Sequence, residues 1–437
     1  MRSRILADGL CLAACLAAAA LGGEPRPNVL LVVTDDQRWD TIAALGNEEI
    51  RTPHLDALVR RGMVFRNAYC MGSMIPAVCA PSRVMIMTGR SLWRIPQHTA
   101  AAFAGPTLGG VFRAAGYQTL YIGKRNNTFL AGNEAFETVV YHDDAEPAAR
   151  ERSSQFMAER TLQWLRQRQA DGEQRPFLIY LGPPVPHDPR VAPPEFMALY
   201  DPARLSLPRN FMPTHPFDNG ALRVRDELLA SHPRTPEEMR RHLADYYAAI
   251  SCFDHELGRI LQELQQEGAL EHTVVVFTSD QGLAVGGRHG LMGKQNLYEH
   301  VKPPLVLAGP GIARGECLAL VYLFDLFPTL CALCGLEPPA DLEGRSLAPL
   351  LQQPAEGLRE WLFAAYGDCQ RMVRDERWKL IAYRVGTERH TQLFDLQRDP
   401  EELTNLAEDP AFAAQRARLE ELLTRARAEF GDPSPWE

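Results

Sequence analysis

The chain has 437 residues, of which 46% are hydrophobic and 23% charged, an ordinary globular composition that excludes a largely disordered chain. That length supports a large core and two or three domain-sized units. A formal charge of -9 with no basic stripe excludes a general nucleic-acid binder, yet leaves room for an anionic substrate in one locally positive pocket.

Residues 1–23 read as a signal peptide. Arg2 and Arg4 precede an apolar, alanine-rich run over residues 10–21, and Ala18-Ala19-Ala20 offers small residues for cleavage. The run is too short and too alanine-rich for a stable membrane span. Leu12-Ala13-Ala14-Cys15 also carries a pattern suited to lipid anchoring, but the apolar run continues past Cys15, so a secreted or periplasmic protein is expected. Nine cysteines are present, and setting aside Cys11 and Cys15 leaves seven, an odd number that flags one thiol as special in an exported chain.

Past the leader, short apolar runs alternate with helical patterns. Residues 28–33 (NVLLVV), 118–123 (QTLYIG), 177–182 (FLIYLG), 273–278 (TVVVFT) and 304–308 (PLVLA) are near-continuous apolar runs, as buried parallel strands should be. Helices are predicted over 55–61, 107–115, 154–169 and 236–266, the last with Leu243, Tyr247, Ile250, Leu257 and Leu261 at helical spacing. An α/β fold follows, with a mainly parallel central sheet sandwiched by helices over residues 24–350. Residues 183–236 are proline-rich and aperiodic, the character of a long loop that lines a site. Cys331-x-x-Cys334 lies in an apolar stretch with no second pair nearby and reads as a buried helical pair. From 351 to 437 the pattern changes to short strands near 372–373, 378–382 and 392–396 and a helix near 411–429, a small C-terminal α+β subdomain with an antiparallel sheet.

Open sheets of this kind place their sites at the carboxyl ends of strands. One strand ends in Thr34-Asp35-Asp36 and another in Ser279-Asp280-Gln281-Gly282. Either pair alone reads more simply as turn or cap chemistry. Together they form an all-oxygen set suited to a hard divalent cation such as Ca²⁺.

Cys79-Ala80-Pro81-Ser82-Arg83 is followed by Thr88-Gly89-Arg90. At this point the chain resembles the formylglycine-dependent sulfatases of the alkaline phosphatase superfamily. Their signature of Cys-x-Pro-Ser-Arg, with Thr-Gly a few residues on, is matched in full. The resemblance runs from Pro27 to about Asn405 through NVLLVVTDDQR, TPHLDALVRRGMVFRNAYC, GYQTLYIGK, HGLMGKQNLYE and LFDLQRDPEELTNLA, in the same order. It implies that a maturation enzyme converts Cys79 to formylglycine, whose hydrate attacks sulfur through one hydroxyl and expels sulfate through the other. It also implies one divalent cation, Ca²⁺, held by Asp35, Asp36, Asp280 and Gln281 with the modified Cys79 adjacent. By the same resemblance Arg83 contacts the modified residue, Lys124 and Lys294 bind the sulfate, and His187 contacts sulfate or protonates the leaving oxygen. Two departures stand out. Gln281 occupies a position where many relatives carry Asn or His, and Gly123-Lys124-Arg125-Asn126 lacks the family histidine after the lysine. Asn126 is a candidate neutral substitute, and His289 either a further acid/base candidate or a shaper of the pocket.

The expected function is hydrolysis of a sulfate ester on a carbohydrate or small molecule. A phosphodiesterase or phosphonate monoester hydrolase of the same superfamily is the nearest rival. A catalytically silent sulfated-glycan binder is another, although the filled nucleophile and metal positions argue against it.

Overall fold

The computed structural model describes residues 26–96, 102–146, 152–354 and 357–436. The leader, with Arg2, Arg4, Cys15 and Ala18, lies outside the described residues. The centre is an eight-stranded sheet in the order β5 (Thr138–Tyr141), β4 (Gln118–Gly123), β6 (Phe177–Gly182), β1 (Asn28–Thr34), β7 (Thr273–Ser279), β8 (Leu305–Ala308), β2 (Met63–Tyr69) and β9 (Gly315–Tyr322). β1 pairs in parallel with β6 on one side and β7 on the other, so both its edges are hydrogen-bonded. Its alternate residues feed two cores. Val29, Leu31 and Val33 join one, and Leu30 and Val32 the other.

β8 runs antiparallel to both neighbours, contrary to the parallel arrangement its continuous apolar run suggests. The physical reason is its connection. Between β7 and β8 the chain forms loops with only a short helical turn at Glu299–Val301, and an antiparallel neighbour needs no crossover helix. The strands β2, β5 and β9 are not evident in the sequence, because half-exposed residues such as Arg66, Asn67 and Val139 interrupt the apolar pattern.

Helices cover both faces. On one lie α1 (Pro53–Arg61), α4 (Ser153–Ala170) and α5 (Pro236–Gln266), and on the other α2 (Cys79–Thr88), α3 (Leu108–Ala114) and α6 (Leu326–Leu333). α5 spans the predicted 236–266, capped where the Thr235 side chain accepts from the Glu238 amide. α2 escapes sequence reading because all ten of its residues are buried, leaving no polar face to mark a helical period. Cys331 lies in α6 and Cys334 at its end, both buried, and the seven cysteines among the described residues are free thiols. No helix among the described residues is long and apolar enough to cross a membrane.

The second sheet has the order β13 (Glu388–Asp395), β12 (Trp378–Val385), β11 (Gln370–Arg374), β10 (Leu362–Tyr366) and β3 (Gly72–Ser73). Its first four strands are antiparallel, and α7 (Ala413–Phe430) packs on them. β3 is supplied from just upstream of Cys79 and pairs parallel to β10. Gly72 makes this possible, since at φ 96 an added Cβ would lie 1.9 Å from the Ala365 carbonyl oxygen. One apolar core continues from Val29 and Val84 to Met372, Leu380 and Leu419.

α1 is capped from outside itself. The Thr52 hydroxyl accepts from the Ala43 amide and donates to Asp56, so Asp254 of α5 takes the amides of Leu55 (2.7 Å) and His54 (3.2 Å) instead. Burial pushes the Asp254 carboxyl up to about 7. A carboxyl raised by folding stabilises fully below its unfolded value and loses that contribution as pH rises through the folded one. Asp254→Asn keeps an acceptor without a buried charge. The wild type is therefore expected to lose stability relative to Asp254→Asn between about pH 4 and pH 7, by at most about 1.4 kcal/mol per pH unit. Urea midpoints of both chains across that range are the measurement, and parallel curves would refute the assignment.

Candidate active site

Four neighbouring parallel strands, β4, β6, β1 and β7, end on the same side of the sheet. β4 delivers Lys124, β1 delivers Asp35 and Asp36, and β7 delivers Asp280 and Gln281. The loop after β6 carries His187 and is tied to β1 where the Asp35 amide donates to the Val185 carbonyl at 3.0 Å. Cys79 is the first residue of α2 and nearly fully buried. Asp36 has φ 71, a left-handed conformation that is costly for a non-glycine residue and is found at functional sites. It is held there by its amide, which donates to Asp280 Oδ1 at 3.1 Å, and by its carbonyl, which accepts from Tyr246 Oη at 2.5 Å.

The side chains meet at the Cys79 sulfur. Sγ lies 3.2 Å from Asp35 Oδ1, 3.8 Å from Asp36 Oδ1, 3.4 Å from Gln281 Nε2 and 3.2 Å from Lys294 Nζ. Lys294 also bridges both Asp36 oxygens, at 3.0 and 2.8 Å. Lys124 Nζ is 2.5 Å from Asp35 Oδ2. Arg83 spans Asp35 Oδ2 (3.2 Å) and Asp280 Oδ2 (3.1 Å), so it neutralises the base of the cluster. His187 donates through Nδ1 to the Asp188 carbonyl at 2.7 Å, which leaves Nε2 turned inward, 3.8 Å from Asp36 Oδ2. Asp280 stands one step back, with one oxygen on the Asp36 amide and the other on Arg83. The nine residues that the resemblance assigned to the metal, the nucleophile and the sulfate are thus gathered at one strand-end crevice.

The two suggested substitutes for the missing histidine are not. Asn126 is exposed and its amide donates to Asp143 Oδ2 at 2.9 Å, so it caps a surface turn. His289 is stacked on Tyr298 with ring centroids 3.9 Å apart and bonds Glu299 at 3.0 Å, in a separate buried network. Three contributors were missed. Ser82 Oγ donates to the Asp280 carbonyl at 2.7 Å, Asp226 Oδ2 lies 3.6 Å from Lys294 Nζ, and Tyr246 supports Asp36. Ser82 sat inside a recognisable signature, Tyr246 lay within the predicted helix but off its apolar spacing, and nothing in the sequence marked Asp226.

Charge dominates the site. Burial by itself would raise Asp35, but Lys124, His187, Arg83 and Lys294 outweigh it and hold the carboxyl well below the usual range. Burial and then the nearby Asp35 push Asp280 up to about 7. Burial, then Asp35, also drives the Cys79 thiol well above its ordinary value. Lys294 stays charged against the cost of burial because Asp36 lies beside it.

The donor chemistry fits a hard divalent cation. Ligand atoms of Asp35, Asp36, Cys79 and His187 lie within 4.8 Å of one another. Gln281 Oε1 is buried without a hydrogen-bond partner, while its Nε2 faces Asp36 Oδ1 at 2.7 Å. Turning that amide over would present its oxygen beside the carboxylates, an arrangement that a cation favours and a bare acceptor cluster does not.

Comparison with known proteins points the same way. Residues 27–336 match the family described as "Sulfatase", and residues 287–429 match "N-sulphoglucosamine sulphohydrolase, C-terminal". The chain is 29% identical over 432 residues to arylsulfatase K of Danio rerio, covering 87% of this chain and 80% of that one. It is also 29% identical over 442 residues to choline-sulfatase of Rhizobium meliloti, covering 90% and 85%. Among solved structures, one in complex with its substrate D-glucosamine-2-N,6-O-disulfate superposes with a TM-score of 0.77 at 21% identity, covering 94% of this chain and 100% of the other.

Arg83→Ala leaves Asp35 and Asp280 buried without their shared cation. A loss of about 3–5 kcal/mol is expected from the denaturant midpoint, and a loss below about 1 kcal/mol would show that the arginine is not balancing them. Chelation is expected to lower the thermal midpoint, with recovery when a divalent cation is returned, because the bound ion stabilises only the folded state. A midpoint indifferent to chelator would argue against a resident cation.

Proposed function

The chain belongs to the sulfatase family and is a sulfuric ester hydrolase, and from that premise we propose that it releases sulfate from a sulfated carbohydrate. The nucleophile is a formylglycine made from Cys79, and the resident cation is calcium, held by Asp35, Asp36, Asp280 and Gln281. Family membership implies a formylglycine and a divalent cation; calcium in particular would suit the oxygen donors of Asp35, Asp36, Asp280 and Gln281 that the family resemblance implies. The observation that carries the reading is the meeting of Asp35, Asp36, Gln281 and Lys294 at the Cys79 sulfur.

When bound, the cation would polarise a sulfate oxygen and lower the cost of ionising the nucleophile. The chain's own groups do the rest. Lys124 pairs with Asp35 and Lys294 with Asp36, and both are placed to hold sulfate oxygens as negative charge shifts in the transition state. Arg83 pairs with Asp35 and Asp280 at the base of the site, helping to hold Asp35 ionised and partly offsetting the burial that raises Asp280. His187 has its Nδ1 proton fixed by the Asp188 carbonyl and presents Nε2 to the site, where it donates a proton to the departing alcohol. No second histidine is placed beside it from the Lys124 segment, so His187 carries that duty alone.

A carbohydrate is favoured because the structural neighbour of the same fold is bound to a sulfated glucosamine, and because the rim around His187 carries charged groups, Asp188, Arg190 and Arg225. The leader, read as an export signal, would place the enzyme outside the cytoplasm, where polymeric sulfated sugars are met.

Sulfate release from sulfated mono- and oligosaccharides, choline sulfate, an aryl sulfate and an aryl phosphate diester tests the reading, using chain matured by a formylglycine-generating enzyme. Release from at least one sugar sulfate is expected, with Cys79→Ala reducing it by about 10³-fold or more. Activity confined to choline sulfate would replace the carbohydrate by a small ester, and a preference for the phosphate diester would replace sulfate transfer altogether. His187→Ala is expected to slow esters of poor leaving groups by about 10²–10⁴-fold and activated aryl sulfates far less, since the latter need no proton on departure.

A further inference from the structure

The loop after β6 carries a cation that the reaction as described does not use. Arg190, three residues beyond His187, has no carboxylate within 4 Å among the described residues. Its Nε is buried without a hydrogen-bond partner, and its single polar contact is Nη1 with the ring nitrogen Nδ1 of His242 at 3.4 Å. Buried charges are ordinarily paired, because desolvation without a partner is costly. The buried arginines Arg38, Arg83, Arg234 and Arg371 each have a carboxylate within 4 Å. Arg374, buried without a carboxylate, is instead satisfied by Asn67, Tyr69 and two backbone carbonyls, whereas Arg190 has its one polar contact and is not sealed in, since its side chain remains partly exposed.

Its position ties it to the reacting centre. The guanidinium stands over the ring of Tyr246, 5.8 Å from the centroid, and the hydroxyl of that ring donates to the Asp36 carbonyl at 2.5 Å. One tyrosine therefore separates Arg190 from the metal-site backbone. Asp188, two residues before Arg190, is already engaged by Arg225 and by His187 Nδ1, and Asp245 acts on Arg190 only from beyond contact distance. His242 is half-buried and uncharged, its imidazolium disfavoured by burial and then by Arg190, so it accepts from the guanidinium and orients it.

We propose that Arg190, oriented by His242, is an anion subsite beside the sulfate pocket, and that the substrate carries a second negative group, a carboxylate or a further sulfate, near the ester that is cleaved. The proposal rests on the sulfatase reading of the site and narrows its substrate class. A planar guanidinium with free N–H groups matches either anion bidentately, whereas a neutral sugar would leave the charge unpaired. His242 is a positioning residue in this scheme.

The test is calorimetric binding to the metal-loaded Cys79→Ala chain, which reports the subsite whether or not the enzyme turns over. Three probes are compared: N-acetylglucosamine 6-sulfate with one anionic group, glucosamine-2-N,6-O-disulfate with two sulfates, and a glucuronate sulfate with a sulfate and a carboxylate. At least one doubly charged probe is expected to bind about tenfold or more tighter than the singly charged one, and which one does so names the second group. Arg190→Gln is expected to abolish that preference, and Arg190→Lys to retain part of it through charge alone. His242→Ala, which leaves the cation in place but unoriented, is expected to weaken the preference and covers the case in which Arg190→Gln fails to fold. Equal affinity for all three probes, no binding of any, or a preference that survives Arg190→Gln would overturn the proposal. Sulfate release by the matured enzyme is read separately, so discrimination without release counts against the carbohydrate substrate and not against the subsite.

Discussion

Three carboxylates, Asp35, Asp36 and Asp280, share one dry crevice at the ends of two adjacent strands, and most of the surrounding architecture serves to make that tolerable. Like charges buried so close repel strongly in a low-dielectric interior. The chain answers with Arg83, Lys124 and Lys294, each aimed at a particular oxygen, and the pattern leaves Asp35 ionised while Asp280 is pushed up to about 7. A divalent cation added to this set makes the positive charges outnumber the carboxylates, which is the field an anionic ester requires.

That geometry depends on neighbours in the sheet that are far apart in sequence. Lys124, Asp35 and Asp280 converge because β4, β6, β1 and β7 are consecutive in space and parallel, so their ends lie in one row. α2 then brings Cys79 to the row from the other face, with its buried residues wedged in the core. The strand β3 immediately upstream is pinned to β10, so the second sheet fixes the approach to the nucleophile.

A second buried network braces the loop that delivers Lys294. Arg288 links Asp40 to Glu299, His289 and Asn210 bond the same glutamate, and Asn210 also reaches the Glu401 carbonyl. Beside it, Lys379 of β12 pairs with Glu402. The C-terminal sheet therefore acts on the site through buried polar contacts packed behind the Lys294 loop. His289 belongs to this scaffolding, which explains why a histidine so close in sequence to Lys294 does not face the substrate.

Much of this was legible in the residues themselves. The strand-end pairs Asp35-Asp36 and Asp280-Gln281 could be read from where apolar runs stop, while the family resemblance singled out the CAPSR segment and the lysines after GYQTLYIG and HGLMG, and the fold gathers all of them in one crevice. The parallel core likewise follows from five continuous apolar runs, four of which are parallel neighbours. Tertiary structure alone decided the rest. Whether β8 runs parallel, whether Asn126 or His289 faces the sulfur, and which charges remain unpaired, as at Arg190, depend on contacts between residues tens to hundreds of positions apart. The sequence determined which groups could react; their pairing, and hence which positive charge is left free for a ligand, is a property of distance, and distance exists only once the chain has folded.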